Sequence, residues 1–246
     1  MRAIITGASS GLGEEFARQL DAMGYETVLV ARREEKLRTL AASLSHPAAV
    51  VPMDLSVPGE AEKLFALYPE ADVLINNAGF GTFGAIAESD LENDQAMIAT
   101  DVTACYTLLK LYLGAFQKQK HGYILNTASA AAFMAGPYFG LYYASKAFVM
   151  RISQAAAREA KGTGVSVSAL CPGSVATEFN SRAHTTFSSR PLTAQKAVTY
   201  AIKKLFAGKA LIIPSAKIRA AFVMSKLMPE PWLTEFSYHT QKKRMK

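Results

Sequence analysis

The chain has 246 residues and a formal net charge of +7, from 27 basic and 20 acidic side chains. Half of the residues are hydrophobic, which supports one sizeable core and excludes global disorder. No apolar run reads as a membrane span, and no charged-then-apolar leader precedes the first strand, so the expected setting is cytoplasmic. Four of the positive charges lie in Lys242-Lys243-Arg244-Met245-Lys246. This run reads as a solvated tail, with contact to an anionic membrane as the alternative; no nucleic-acid partner is expected. Cys105 and Cys171 read as buried reduced thiols. His46, His121, His184 and His239 are too scattered to suggest a metal site.

In chain order, Ala3-Ile4-Ile5 is a short apolar strand. It runs into Thr6-Gly7-Ala8-Ser9-Ser10-Gly11-Leu12-Gly13, and Glu14 to Leu20 has helical spacing of apolar residues. Strand, glycine turn and helix form the context of a phosphate-cradling loop. Gly7 permits the tight turn, while Gly11 and Gly13 let a pyrophosphate approach the backbone and let the helix pack against the strand. The free N–H groups and positive dipole end of that helix then face the phosphates. Further strands are expected at 27–31, 49–53, 72–76, 123–126, 165–170 and 210–213. Helices are expected at 34–44, 59–67, 91–119 and 141–161. Apolar strands without polar alternation suit a parallel sheet covered on both faces, and the strand–helix alternation predicts a doubly wound α/β sheet in a single domain, 1–246.

Sites in such sheets lie beyond the carboxyl ends of the strands. The distinctive residues fall there: the glycine loop, Arg32 and Arg33, Asp54 and Leu55, Asn76-Asn77-Ala78-Gly79, Ser129, and Pro172-Gly173. After strand two, a sheet that binds NAD usually carries an acid for the ribose 2′-hydroxyl. Here Arg32 and Arg33 follow Ala31. Guanidinium suits a 2′-phosphate, so NADP(H) is the expected cofactor, with ordinary surface arginines as the alternative. Asp54 either accepts a hydrogen bond from an adenine amino group or caps the helix after Ser56.

Tyr142 and Lys146 are four apart in a strong helical pattern, so both side chains share a face. An ammonium lowers the pKa of a nearby phenol, which suits the pair to exchange a proton with a carbonyl or alcohol oxygen as hydride moves at carbon. Ser129 can hydrogen-bond the same oxygen. Tyr143 is an alternative aromatic in the same turn.

Taken together, Thr6 to Gly13, Asp54-Leu55, Asn76 to Gly79, Ser129, Tyr142-Tyr143-Ala144-Ser145-Lys146 and Cys171-Pro172-Gly173-Ser174-Val175-Ala176-Thr177 resemble the short-chain dehydrogenase/reductase family. The resemblance covers about residues 1 to 180. It implies a Rossmann-type three-layer fold with a sheet of seven strands. It also implies Tyr142 as acid/base, Ser129 as orienter of the substrate oxygen, and Lys146 on the nicotinamide ribose. Ser9, Ser10, Leu12, Asn77, Ala78, Gly79, Val175 and Thr177 then border the cofactor. The Arg32-Arg33 pair looks like the NADP(H)-preferring branch. Asp101 stands where the family has an asparagine that helps hold a water beside the lysine. An aspartate there is expected to pair with Lys146, weaken its effect on Tyr142 and shift the pH profile.

The resemblance suggests a substrate lid over 178–191, with Phe179 and Phe187 as apolar anchors. Phe133, Met134, Tyr138 and Phe139 line an apolar pocket or belong to core or interface. A C-terminal helical segment, 215–240, contains an apolar stretch from Ile218 to Leu233 interrupted by Pro229 and Pro231. It covers the pocket, packs on a second subunit or lies on a membrane; packing within a soluble homodimer or homotetramer is the first choice. The expected reaction is hydride transfer between NADP(H) and a small carbonyl or secondary alcohol, apolar by weak preference. The alternative is an NADPH-binding regulator or scaffold with little turnover.

Overall fold

A computed structural model describes residues 1–179 and 191–242. Seven parallel strands form one sheet in the order β3-β2-β1-β4-β5-β6-β9. They are β1 (Arg2–Thr6), β2 (Glu26–Ala31), β3 (Ala48–Pro52), β4 (Val73–Asn76), β5 (Gly122–Thr127), β6 (Val165–Leu170) and β9 (Leu211–Ile212). The short β7 (Val175–Ala176) and β8 (Leu192–Thr193) pair with each other outside this sheet. The helices are α1 (Gly11–Ala22), α2 (Glu34–Ala42), α3 (Glu60–Leu67), α4 (Leu91–Ile98), α5 (Cys105–Gln119), α6 (Gly140–Glu159), α7 (Ala194–Phe206), α8 (Ala216–Leu227) and α9 (Glu230–Lys242).

Successive strand side chains point to opposite faces, and every strand is covered on both. Ile4, Val28, Val30 and Leu74 enter one core with Leu64 of α3, Leu108, Tyr112 and Phe116 of α5, and Ala156 of α6. Ala3, Ile5, Leu29 and Ile75 enter the other with Phe16 and Leu20 of α1, Leu37 of α2, and Val198 and Leu205 of α7. The result is the expected three-layer arrangement. The order of strands reverses between β1 and β4, which lie side by side. A crevice opens beyond the carboxyl ends of such a pair.

The expected strands and helices are found, with ends displaced by no more than a few residues. Several features beyond those expectations have physical causes. Helix α7 was not expected, although Thr193 accepts a hydrogen bond from the Lys196 N–H as its cap and Ala197, Val198, Ala201, Ile202 and Leu205 are buried at helical spacing. The region Leu91–Gln119 has the length and a mean hydropathy of 1.2 that would pass for a membrane span. Its buried face, including Leu108, Tyr112 and Phe116, instead packs against the sheet. Between α4 and α5 the turns widen into a π-helix, Ala99–Ala104. In the C-terminal segment only Pro229 separates helices; Pro231 lies in the first turn of α9, where its missing N–H costs nothing.

Candidate active site

At the end of β1, Thr6 laces the two central strands together. Its hydroxyl accepts hydrogen bonds from the N–H groups of Asn77 (2.8 Å) and Ala78 (2.9 Å), and Asn77 Nδ2 donates to the Thr6 carbonyl (3.2 Å). The chain then turns at Gly7 and Gly11, with φ of 66° and 59°. Gly13 is required for space: a Cβ there would lie 2.2 Å from the Gly7 carbonyl oxygen. No flexible side chain can yield at that contact, because both partners are backbone. Arg33 reaches back over this loop, donating to Ser9 Oγ (3.0 Å from Nη2), to the Ser9 carbonyl (3.1 Å) and to Ser10 Oγ (2.9 Å). Its other nitrogen pairs with Glu178 (2.9 Å), which also pairs with Lys36. These two cations hold the Glu178 carboxyl down at about 2. Arg32 is more exposed and lies 3.7 Å from Asp54. Asp54 accepts from the Ser56 N–H (3.0 Å) and hydroxyl (2.8 Å) and borders the cavity described next; it does not cap the following helix α3, whose N-cap is Gly59.

One cavity of about 810 Å³ runs from this loop across the sheet edge. Ser129, Tyr142 and Lys146 line it, together with Gly7, Ser9, Ser10, Gly11, Leu12, Arg32, Arg33, Asp54, Leu55, Asn77, Ala78, Gly79, Pro172, Gly173, Val175 and Thr177. Gly13 and Asp101 stand behind the wall, the first against Gly7 and the second beneath Lys146. Sequence positions spread over 170 residues are thus brought to one surface, as the carboxyl-end rule requires.

The catalytic candidates are held from several sides. Ser129 leaves β5 in extended conformation and its Oγ accepts from the Ala131 N–H (3.1 Å). Phe139 stacks on the Tyr142 ring at 4.5 Å between centroids, and Phe179 lies at 5.3 Å. Lys146 Nζ lies 5.7 Å from the Tyr142 ring centroid, donates to the Thr127 carbonyl (3.3 Å) and pairs with Asp101 at 2.8 Å. Asp101 is 1 % exposed and Lys146 4 %. The second Asp101 oxygen accepts from the Phe80 N–H (3.1 Å). The π-helix carries Asp101, and such widened turns recur at functional sites. Asn76 braces its far end, donating to the Cys105 carbonyl (2.8 Å).

Burial raises the pKa of the Tyr142 phenol; Lys146 and Ser129 pull it down, and Asp101 and Tyr143 push it up, leaving it above its ordinary value. Burial disfavours the Lys146 ammonium, but Asp101 and Tyr142 outweigh that and hold its pKa above the ordinary lysine value. The expected Asp101–Lys146 pairing therefore exists, and its charge opposes the lysine's effect on the phenol. Cys105 and Cys171 are buried free thiols, both pushed up to about 12 by burial.

Two observations test the fit of a dinucleotide. A Cβ on Gly7 or Gly11 would press on Ala78 or Thr177 at about 3.0 Å, so the cradle keeps its backbone open only with glycine. Thr127 Oγ1 and Ser174 Oγ are buried without hydrogen-bond partners in residues that line the cavity. Both facts suit a polar ligand along this edge.

Of the aromatic stretch, Phe133, Met134 and Phe139 line the cavity, while Tyr138 stacks on Tyr238 of α9. The C-terminal segment covers the cavity in its own chain: Ile218 and Ala221 of α8 and Phe236, Ser237, Thr240 and Gln241 of α9 line it. No sequence motif marks these four α9 residues. The lid expected at 178–191 lies outside the described residues except for Glu178, Phe179 and Pro191, and of the basic tail only Lys242 is described.

Residues 1–186 match the family model for short chain dehydrogenase. The chain belongs to the short-chain dehydrogenase/reductase family. Its curated relatives include a 7beta-hydroxysteroid dehydrogenase of Collinsella aerofaciens, 34 % identical over 180 residues, or 71 % of this chain and 68 % of that one. Among short-chain dehydrogenases of known structure, one solved in a study of 7beta-hydroxysteroid dehydrogenase stereoselectivity superposes with a TM-score of 0.88, at 28 % identity and 96 % coverage of both chains. A short-chain dehydrogenase from Sphingobium yanoikuyae in complex with NADPH superposes with a TM-score of 0.84, at 28 % identity and 91 % coverage of both chains. Family membership makes this chain an oxidoreductase of alcohol and carbonyl groups with a nicotinamide cofactor.

Proposed function

We propose that the chain is an NADP(H)-dependent reductase of bulky, largely apolar ketones, working in reverse on the corresponding secondary alcohols. The observation that carries this reading is one continuous cavity with Ser129, Tyr142 and Lys146 in its wall and the glycine turn at its other end. A bound nicotinamide supplies or takes up the hydride. Ketone reduction also needs a proton at the oxygen, and the Tyr142 phenol O–H is the donor in this scheme. Ser129 orients the substrate oxygen. Lys146 steadies the phenolate left behind and holds the cofactor ribose. Asp101 is a positioning residue: it fixes the Lys146 ammonium, and its charge adds to the effect of burial in holding the phenol above its ordinary pKa, which favours the reductive direction.

The preference for NADP(H) rests on Arg33. Its guanidinium is anchored on Ser9 and Ser10 at the glycine turn and already donates to an anionic oxygen, that of Glu178. The size and aromatic walls of the cavity, with relatives named for a hydroxysteroid, support a bulky substrate. Two buried free thiols suit a reducing, cytoplasmic setting. A homodimer or homotetramer is the proposed assembly, and size-exclusion chromatography with light scattering tests it.

The decisive assay follows NADPH and NADH consumption with a panel of aliphatic, aromatic and fused-ring ketones. Oxidation of NADPH in preference to NADH, strongest with the fused-ring compounds, is expected. Tight NADPH binding with no turnover across the panel would instead favour a cofactor-sensing protein, with the Asp101–Lys146 ion pair as the feature behind the lost turnover.

A further inference from the structure

The far wall of the cavity is made by α9, which is docked by side-chain contacts to the helix that carries Tyr142. Gln241 Nε2 donates to the Tyr143 hydroxyl at 2.6 Å, and Tyr238 stacks on Tyr138 at 5.7 Å between centroids. Tyr138 itself has a φ of 62°, a conformation that side chains other than glycine rarely adopt. This contact region places Ser237, Thr240 and Gln241 in the cavity wall. Ser237 is 3 % exposed, yet its hydroxyl has no hydrogen-bond partner among the described residues. A serine inside a helix usually returns its proton to the carbonyl four residues earlier. Ser237 does not, whereas Thr234 and Thr240 on the same helix do, at 3.0 and 2.9 Å. An unpartnered, nearly buried hydroxyl in a cavity wall is a group awaiting a ligand atom.

The three polar side chains that α9 gives this wall are hydroxyl, hydroxyl and amide. Of the charged residues described nearby, His239 pairs with Glu235 and Lys242 donates to the Tyr238 hydroxyl, while Lys217 of α8 also lines the cavity. Phe133, Met134, Phe139 and Phe179 give the same cavity an aromatic and apolar lining. We infer that Ser237, supported by Thr240 and Gln241, forms a polar subsite that binds a neutral hydroxyl at the end of the substrate remote from the reacting carbonyl. The preferred substrate is then an apolar skeleton with a ketone at one end and an alcohol at the other. This deepens the functional reading above and rests on it.

The test uses two steroid ketones alike except that one carries a hydroxyl on the ring farthest from the ketone. Affinity is measured by calorimetry with NADPH present, and KM by NADPH consumption, for the full chain and for Ser237→Ala. The wild-type protein is expected to favour the hydroxylated ketone about tenfold in both Kd and KM. Ser237→Ala is expected to remove most of that preference by weakening the hydroxylated ketone alone, with the melting temperature retained. Thr240→Val gives a smaller loss in the same direction. Equal affinity for the two ketones, failure of either to bind, or a preference that survives Ser237→Ala would overturn the subsite. A hydroxyl preference in binding without reduction of either ketone would leave the subsite standing and overturn the reductase reading.

Discussion

The two ends of the cavity are built in different ways. At the glycine-turn end, the wall is backbone: Gly7 and Gly11 turn within a few residues of one another, Gly13 leaves room behind them, and Thr6 and Asn77 lock two adjacent strands. At the α9 end, the wall is side chains from a helix held by Gln241 on Tyr143, residues 98 apart in the chain. Where the constraint is local and steric, a single added methyl group breaks it. Where it is spread over aromatic stacking and one or two hydrogen bonds, each change has a modest effect and the specificity can drift while the chemistry stays.

The sharpest challenge to this contrast is Gly13→Ala. With its Cβ 2.2 Å from a carbonyl oxygen, the loop must move, and a displacement on the order of 1 Å is expected to lower cofactor affinity about 100-fold. Gly114→Ala is the matched control, since a Cβ on this α5 glycine meets nothing within 4 Å. It is expected to gain about 0.5–1 kcal/mol of stability from helix propensity, read from chemical denaturation. Equal cofactor affinity in the two variants would remove the steric argument.

Next in size is Arg33→Ala. Losing charge-assisted hydrogen bonds to a 2′-phosphate costs about 1.5–3 kcal/mol, so NADPH affinity should fall roughly 10- to 100-fold. NADH affinity should change much less, and a parallel loss for both cofactors would reassign Arg33 to loop structure alone.

These two sites show why so much of the cofactor end was legible in the sequence. Positive φ at Gly7 and Gly11 and the demand for space at Gly13 leave a glycine pattern that survives as letters, and Tyr142 and Lys146 are neighbours by helix geometry alone. Arg33 over Ser9 was readable because it follows β2 directly. The rest was hidden for physical reasons. The π-helix around Asp101 is a change of hydrogen-bond register with no residue signature. Ser237 looked like any polar residue of an amphipathic helix, because the direction it faces is set by the docking of Tyr238 on Tyr138. Helix α7 does carry a sequence signature, its Thr193 cap and apolar residues at helical spacing.

Asp101→Asn has a smaller, directional effect. The phenol of Tyr142 faces Lys146, Ser129, Asp101 and Tyr143, and the Asp101 charge raises its pKa. Removing that charge lowers it. Reduction needs the phenol protonated and is lost as pH rises through this pKa, so the alkaline fall should move to lower pH. Oxidation needs the phenolate, so its alkaline rise should move the same way. An alkaline limb that stays in place in both directions would show that the ion pair does not tune the phenol.

The smallest effect belongs to the α9 wall. Tyr238→Ala removes one aromatic stack worth about 0.5–1.5 kcal/mol beyond its buried area. KM for a fused-ring ketone should rise a few-fold, while NADPH affinity should stay unchanged, because the glycine turn is built from the ends of β1 and β4 and not from α9. A matching loss of cofactor affinity would mean that the two ends of the cavity are not independent.

The central claim is that a buried phenol, flanked by Ser129 and a lysine paired to Asp101, is the proton donor for a carbonyl oxygen. It is tested most directly by comparing wild type with Tyr142→Phe in single-turnover NADPH oxidation with a fused-ring ketone, alongside NADPH binding. The account predicts a rate lower by about 10²- to 10⁴-fold with cofactor affinity retained. Comparable turnover in the phenylalanine variant would contradict it.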